Sequence, residues 1–131
     1  MMVFVDTSAF YAILDRNDEN HRAAGAIWLS LLHDAILVTT NYVLVETCAL
    51  VQGRLGMDAV RVFQEQVMPP VTIEWIGKPR HESAMAAILA ASRRKLSLVD
   101  CVSFTAMREA GIRKAFAFDE HFIEQGFECT F

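Results

Sequence analysis

The stretch MVFVDTSAFYAIL (residues 2–14) decides how this chain is read. Met2 to Val5 is an apolar run with the length of a buried strand. Asp6, Thr7 and Ser8 come next, side chains that accept hydrogen bonds from the first amides of a helix. Phe10, Ile13 and Leu14 then recur at helical spacing. A strand that is apolar throughout and passes directly into a helix belongs to a parallel sheet covered on both faces. It also leaves a carboxylate, Asp6, at the carboxyl end of the strand, where such sheets bind their ligands.

The rest of the chain repeats the pattern. Asp18 or Asn20 can cap a second helix with Ala24, Ile27, Trp28, Leu31 and Leu32 on one face. Ala35 to Val38 predicts a second strand. Thr39 and Thr40 cap a helix through Val43, Leu44, Thr47, Leu50 and Val51 that ends near Gly53 or Gly56. Met57 to Val67 predicts another helix, and the β-branched and aromatic run Val71 to Ile76 a third strand. Pro69-Pro70 and Gly77 to Pro79 read as punctuation within one domain. Glu82 to Arg93 predicts an alanine-rich helix. Ser97-Leu-Val-Asp100 has the form of a capping box, opening a helix that runs to Gly111. Ala115 to Phe118 predicts a fourth strand, Asp119 caps a short helix to Gln125, and Phe127 to Phe131 predicts a terminal strand. Strands alternating with helices, with no hairpin signal between them, predict an α/β fold. Its central sheet is mostly parallel, with helices on both faces.

Composition bounds the function. With 131 residues, 53% of them hydrophobic and 21% charged, the chain is expected to form one domain, residues 1–131, that folds without disulfide or structural metal. No apolar run reaches the roughly 18 residues of a membrane span, and the start lacks the basic segment of a secretory signal. Three cysteines without CxxC spacing fit a reduced, cytoplasmic chain. Twelve Lys and Arg against sixteen Asp and Glu give a net charge of −4, which argues against holding nucleic acid by bulk positive charge. A local basic rim remains open: Arg93, Arg94 and Lys95 precede the Asp100 helix, and Arg113 and Lys114 precede strand four.

The strands lead into acids. Asp6 ends strand one, Asp119 ends strand four, Asp100 lies in the first turn of its helix, and Glu46 lies inside the helix after strand two. Asp6, Asp100 and Asp119 could each serve only as caps. Glu46 could not, because it sits at mid-helix in NYVLVETCALV (residues 41–51) among Val45, Cys48, Ala49 and Leu50. An acid in an apolar stretch is costly to ionise without compensation, and no Lys or Arg lies within four residues of Glu46 or Asp6. A hard divalent cation satisfies such carboxylates. Dinucleotide, P-loop, GxSxG and HExxH signatures are absent. Of the four histidines, His121 alone, two residues after Asp119, is placed to approach the acids.

Four blocks together resemble the PIN domain family: VFVDTSAFYAILD at the start, TNYVLVETCALV (residues 40–51), LSLVDCVSFTAM (residues 96–107) and FAFDEHFIEQGF (residues 116–127). Their order and spacing match over essentially the whole chain, and the length is similar to that of VapC-type toxins and their stand-alone relatives. The resemblance implies a Mg²⁺- or Mn²⁺-dependent endoribonuclease that leaves a 5′-phosphate and a 3′-hydroxyl. Position by position, Asp6, Glu46 and Asp100 match the three core acids of the catalytic and metal-binding site, and Asp119 the fourth, more variable one. Ser8 matches the small hydroxyl after the first acid, Asn41 the polar residue opening the second block, and Ser103 the small polar residue one turn after Asp100. The sequence departs from the pattern at Ala117, where members often carry Ser or Thr. The resemblance also implies an RNA substrate, a homodimer, a small antitoxin partner and no membrane. Alternatives to the toxin are a stand-alone RNA-processing nuclease and a non-catalytic PIN-like interaction module. A receiver or phosphatase would want a second acid near strand one, where Thr7 and Ser8 stand instead.

Overall fold

Four strands, β1 (Met2–Val5), β2 (Ile36–Thr40), β3 (Val71–Glu74) and β4 (Lys114–Phe116), lie side by side in the order β3-β2-β1-β4, every pair parallel. The structure, a computed structural model, describes residues 1–129 and 131. Val3 is aligned with Leu37 on one side and Lys114 on the other. Val3, Phe4 and Val5 are completely buried, which requires cover on both faces of the sheet. That cover comes from α1 (Thr7–Leu14), α2 (His21–Asp34), α3 (Asn41–Leu55), α4 (Met57–Val62), α5 (Lys78–Ala91), α6 (Leu98–Ala110) and α7 (His121–Glu124). No helix of the described residues is long and apolar enough to cross a membrane.

The chain order places the site. From β1 the chain moves outward through β2 to β3, then returns to the other side of β1 as β4. The sheet therefore has its switch point between β1 and β4, where neighbouring loops diverge and leave a crevice. Asp6 stands at the end of β1 and Ala117 to Asp119 beyond the end of β4, so both rims of that crevice carry an acid. Phe4, Phe10, Phe116 and Phe122 are completely buried beneath it. The Phe104 and Phe122 rings meet edge to face at 5.0 Å.

Several boundaries differ from the sequence reading. β3 stops at Glu74 because the Ile76 amide donates to the Asn41 side chain at 2.7 Å rather than to a strand. α5 begins at Lys78, earlier than Glu82, since Pro79 falls in the first turn, where its missing N–H costs nothing. The helix from Met57 changes to π-type hydrogen bonding over Phe63–Val67, and the Met68 amide bonds back to the Phe63 carbonyl at 3.0 Å. Of the expected terminal strand, the described residues form a single bridge between Lys114 and Glu128, directly after Gly126 turns the chain at φ +91°. Position 130 of that expected strand lies outside the described residues.

Candidate active site

Asp6 is both the end of β1 and the N-cap of α1. Its Oδ2 accepts from the Ser8 amide at 3.1 Å and from the Ser8 hydroxyl at 2.7 Å. The same hydroxyl accepts from the Phe118 amide at 2.9 Å, joining the exits of β1 and β4. Ala117, where a family hydroxyl is often found, is buried and contributes none, so Ser8 supplies the polar contact to this loop. Burial pushes the Asp6 carboxyl up from 3.8 to about 7 against the Ser8 bonds, and the charges of Asp100 and Asp119 add to the rise.

Asp100 carries out two tasks. It completes a capping box, accepting from the Ser97 amide at 3.1 Å while its own amide donates to the Ser97 hydroxyl at 3.0 Å. It is also buried against the other acids: desolvation raises its carboxyl above the usual range, and the Asp119 charge raises it further. Glu46, half-buried on α3, is raised by the same causes, burial ahead of Asp100 and Asp119, while the Thr7 hydroxyl opposes the rise. That hydroxyl accepts from Thr47 at 3.0 Å, so its hydrogen is free for Glu46.

Asp119 accepts from the His121 amide at 2.9 Å. The His121 ring nitrogen Nδ1 lies 2.8 Å from Asp119 and 3.6 Å from Asp100, yet it makes no aligned hydrogen bond among the described residues and is shielded from solvent. Asp100, Asp119 and His121 each offer a ligand atom, all within 4.8 Å of one another. Asp6 and Glu46 both sense the Asp100 and Asp119 charges. Among the described residues, no Lys or Arg forms an ion pair with any of the four acids.

The PIN domain profile matches residues 3–128. The chain belongs to the PIN domain family. It is 35% identical over 127 residues to the 23S rRNA-specific endonuclease VapC20 of Mycobacterium tuberculosis, in strains CDC 1551 and H37Rv alike, covering 96% of this chain and 95% of the relative. The crystal structure of Mycobacterium tuberculosis VapC20, described as a sarcin–ricin loop cleaving toxin, superposes with a TM-score of 0.88 at 32% identity, covering 98% of each chain.

The donor set of this PIN domain suits a divalent cation. It offers carboxylate oxygens, a buried imidazole nitrogen that makes no aligned hydrogen bond and, among the described residues, no Lys or Arg paired with the acids. The remaining residues singled out in the sequence serve other ends. Asn41 staples the start of α3 to the chain leaving β3, accepting from the Ile76 amide at 2.7 Å and donating to its carbonyl at 3.5 Å. Ser103 is buried and donates to the Val99 carbonyl at 2.9 Å. Arg93 pairs with Glu124, leaving Arg94 and Lys95 exposed without an ion pair among the described residues. Arg113 and Lys114 correct the sequence reading: they stand at the start of β4, the end of the sheet opposite the acids. Cys129, which the sequence did not mark, is a free thiol raised by burial and by the Asp6 and Asp119 charges, and so borders the site. No local motif announces it, because only the return of the chain alongside β4 brings it there.

Proposed function

We propose that residues 1–131 act as a single divalent-metal-dependent endoribonuclease, the toxin of a VapBC-type pair, with an rRNA loop as its substrate class. The observation that carries this reading is the acid-rich crevice at the β1/β4 switch point: the charges of Asp100 and Asp119 act on both Asp6 and Glu46, and among the described residues no Lys or Arg pairs with any of the four. The substrate class comes from the names of the VapC20 relatives.

In this reading Asp6, Glu46 and Asp100 hold Mg²⁺ or Mn²⁺, and Asp119 binds a second ion or orients the attacking water. Bound there, such an ion supplies a water of lowered pKa and neutralises the phosphodiester. The protein contributes position. Ser8 fixes the Asp6 carboxylate, Ser97 fixes Asp100, and Thr7 steadies Glu46. Arg94 and Lys95, just ahead of the Asp100 helix, bind the RNA backbone. A homodimer, a small antitoxin and a cytoplasmic setting belong to the same reading; the exposed Met57 and Val62 of α4 support a face that a partner covers.

The test is cleavage of a synthetic sarcin–ricin stem-loop of 23S rRNA. Mg²⁺ or Mn²⁺ should support cutting, EDTA should stop it, and Asp100→Asn should abolish most of it. Undiminished cleavage in EDTA, or by Asp100→Asn, refutes the assignment.

A further inference from the structure

Beside the acids lies a cavity of about 370 Å³ lined by Asn41, Tyr42, Val45, Glu46 and Val99. We propose that this cavity holds the unstacked base of a nucleotide adjoining the scissile phosphate. The inference rests on the ribonuclease reading and adds the part of the substrate that this groove grips.

Glu46 forms one wall of the cavity and also shares the electrostatic neighbourhood of Asp100 and Asp119. A phosphodiester seated at the acids therefore has a neighbouring nucleoside within reach of the cavity. The chemistry of the walls excludes a phosphate there: none of the lining residues is cationic and Glu46 is an acid. Val45 and Val99 offer apolar surface and Tyr42 offers a ring, the surroundings of a flat, neutral, weakly polar group. The volume falls within the roughly 300–1,000 Å³ of sites that take small organic ligands.

The ring is set in place before any substrate arrives. The Tyr42 hydroxyl hydrogen-bonds to Nδ1 of His81 on α5, and the two rings lie 5.9 Å apart. Asn41, next to it, has both amide atoms committed to Ile76. A wall so anchored lowers the ordering cost of binding. Single-stranded RNA is commonly gripped through bases splayed onto aromatic side chains. Val45 is 71% exposed in mid-helix, an apolar side chain left in water at the mouth of the cavity. Asn41 is anchored on Ile76 and the walls are chiefly apolar and aromatic, so the cavity grips mainly by shape and stacking and is expected to tolerate exchange of one base for another.

The experiment uses the sarcin–ricin stem-loop and versions with a single abasic nucleotide on either side of the cleaved bond. At one of the two positions, loss of the base should lower kcat/KM of the parent by about tenfold, the scale of one stacking contact. Tyr42→Leu, which removes the ring and keeps apolar bulk, should cut intact RNA at that reduced level and no longer distinguish intact from abasic RNA. Tyr42→Phe should stay within about threefold of the parent. Val45→Gln, a change at an exposed position that leaves the fold in place, should behave as Tyr42→Leu does and keeps the test open if the Leu variant fails to fold. Equal cutting of intact and abasic RNA by an active parent overturns the proposal, as does a Tyr42→Leu or Val45→Gln variant that keeps the parent's discrimination. A parent that cuts no RNA overturns the ribonuclease reading itself, and the base site with it.

Discussion

Replacing Asp6 by Asn should stabilise the metal-free protein. Asp6 is 4% exposed, and its carboxyl is raised from 3.8 to about 7, chiefly by burial. At about 1.4 kcal/mol per tenfold change in proton affinity, keeping this group ionised in the folded protein costs at most roughly 4 kcal/mol. That figure is already net of the two Ser8 bonds, which favour the charged form, so a neutral Asn should recover up to about 4 kcal/mol at high pH, a rise in Tm of roughly 10 °C for a domain of this size. The pH dependence comes from the direction of the shift. A carboxyl raised in the folded state contributes stability that is complete below its unfolded value and lost as pH rises through the folded one. The advantage of Asn should thus be largest near pH ~8, much smaller near pH ~5, and gone only below about pH 4. Thermal melts followed by circular dichroism, in EDTA at both pH values, read it directly. An Asn variant less stable than the parent at the higher pH, or a difference that does not change with pH, refutes a desolvated, charge-crowded Asp6.

Other consequences can be measured on the same preparations. Mn²⁺ should raise the Tm of the parent, and Glu46→Gln should lose most of that rise, since a ligand stabilises only through binding to the folded state; equal shifts in both proteins count against Glu46 as a ligand. In cleavage assays Asp6→Asn and Glu46→Gln should each remove most activity, while Asp119→Asn is milder; a silent Glu46→Gln removes Glu46 from the site. Ca²⁺ should bind without supporting cutting well, because its coordination is larger and looser than that of Mg²⁺; cleavage rates in the two ions decide this. Arg94→Ala with Lys95→Ala should weaken RNA binding and flatten its dependence on salt by up to about two units of log–log slope, one per lost phosphate contact. Filter binding at a series of salt concentrations reads that slope.

The alternation of apolar strands and capped helices was legible because both depend on local pattern. Val3, Phe4 and Val5 are apolar without a break and end up wholly buried, and Thr40 and Ser97 cap the helices that come after them, each accepting from a backbone amide. The acids at the ends of β1 and β4 were legible for the same reason: position after a strand implies position in the crevice. The features that escaped depend on contacts between distant segments. Ile76 leaves the sheet because Asn41, 35 residues away, takes its amide. Among the described residues the segment after Gly126 meets β4 at one bridge, β4 itself being only three residues long. Arg113 and Lys114 read as part of a basic rim because they precede strand four, yet Lys114 opens β4 and the chain runs on past Phe116 before it reaches Asp119. His121 was visible only as a neighbour of Asp119; that its ring also turns towards Asp100 is a product of how α7 packs.

The Ser8 hydroxyl has one hydrogen, and its surroundings fix where that hydrogen goes. The Phe118 amide occupies an Oγ lone pair, so the O–H is directed to Oδ2 of Asp6, which also receives the Ser8 amide. Oδ2 is thereby held as an acceptor, and the proton that Asp6 carries below about pH 7 resides on Oδ1. The carboxyl is polarised in advance: one oxygen belongs permanently to the scaffold, and only the other exchanges with the crevice. Below about pH 7 a cation that enters must displace that proton, so its capture there releases acid and weakens as the medium grows more acidic.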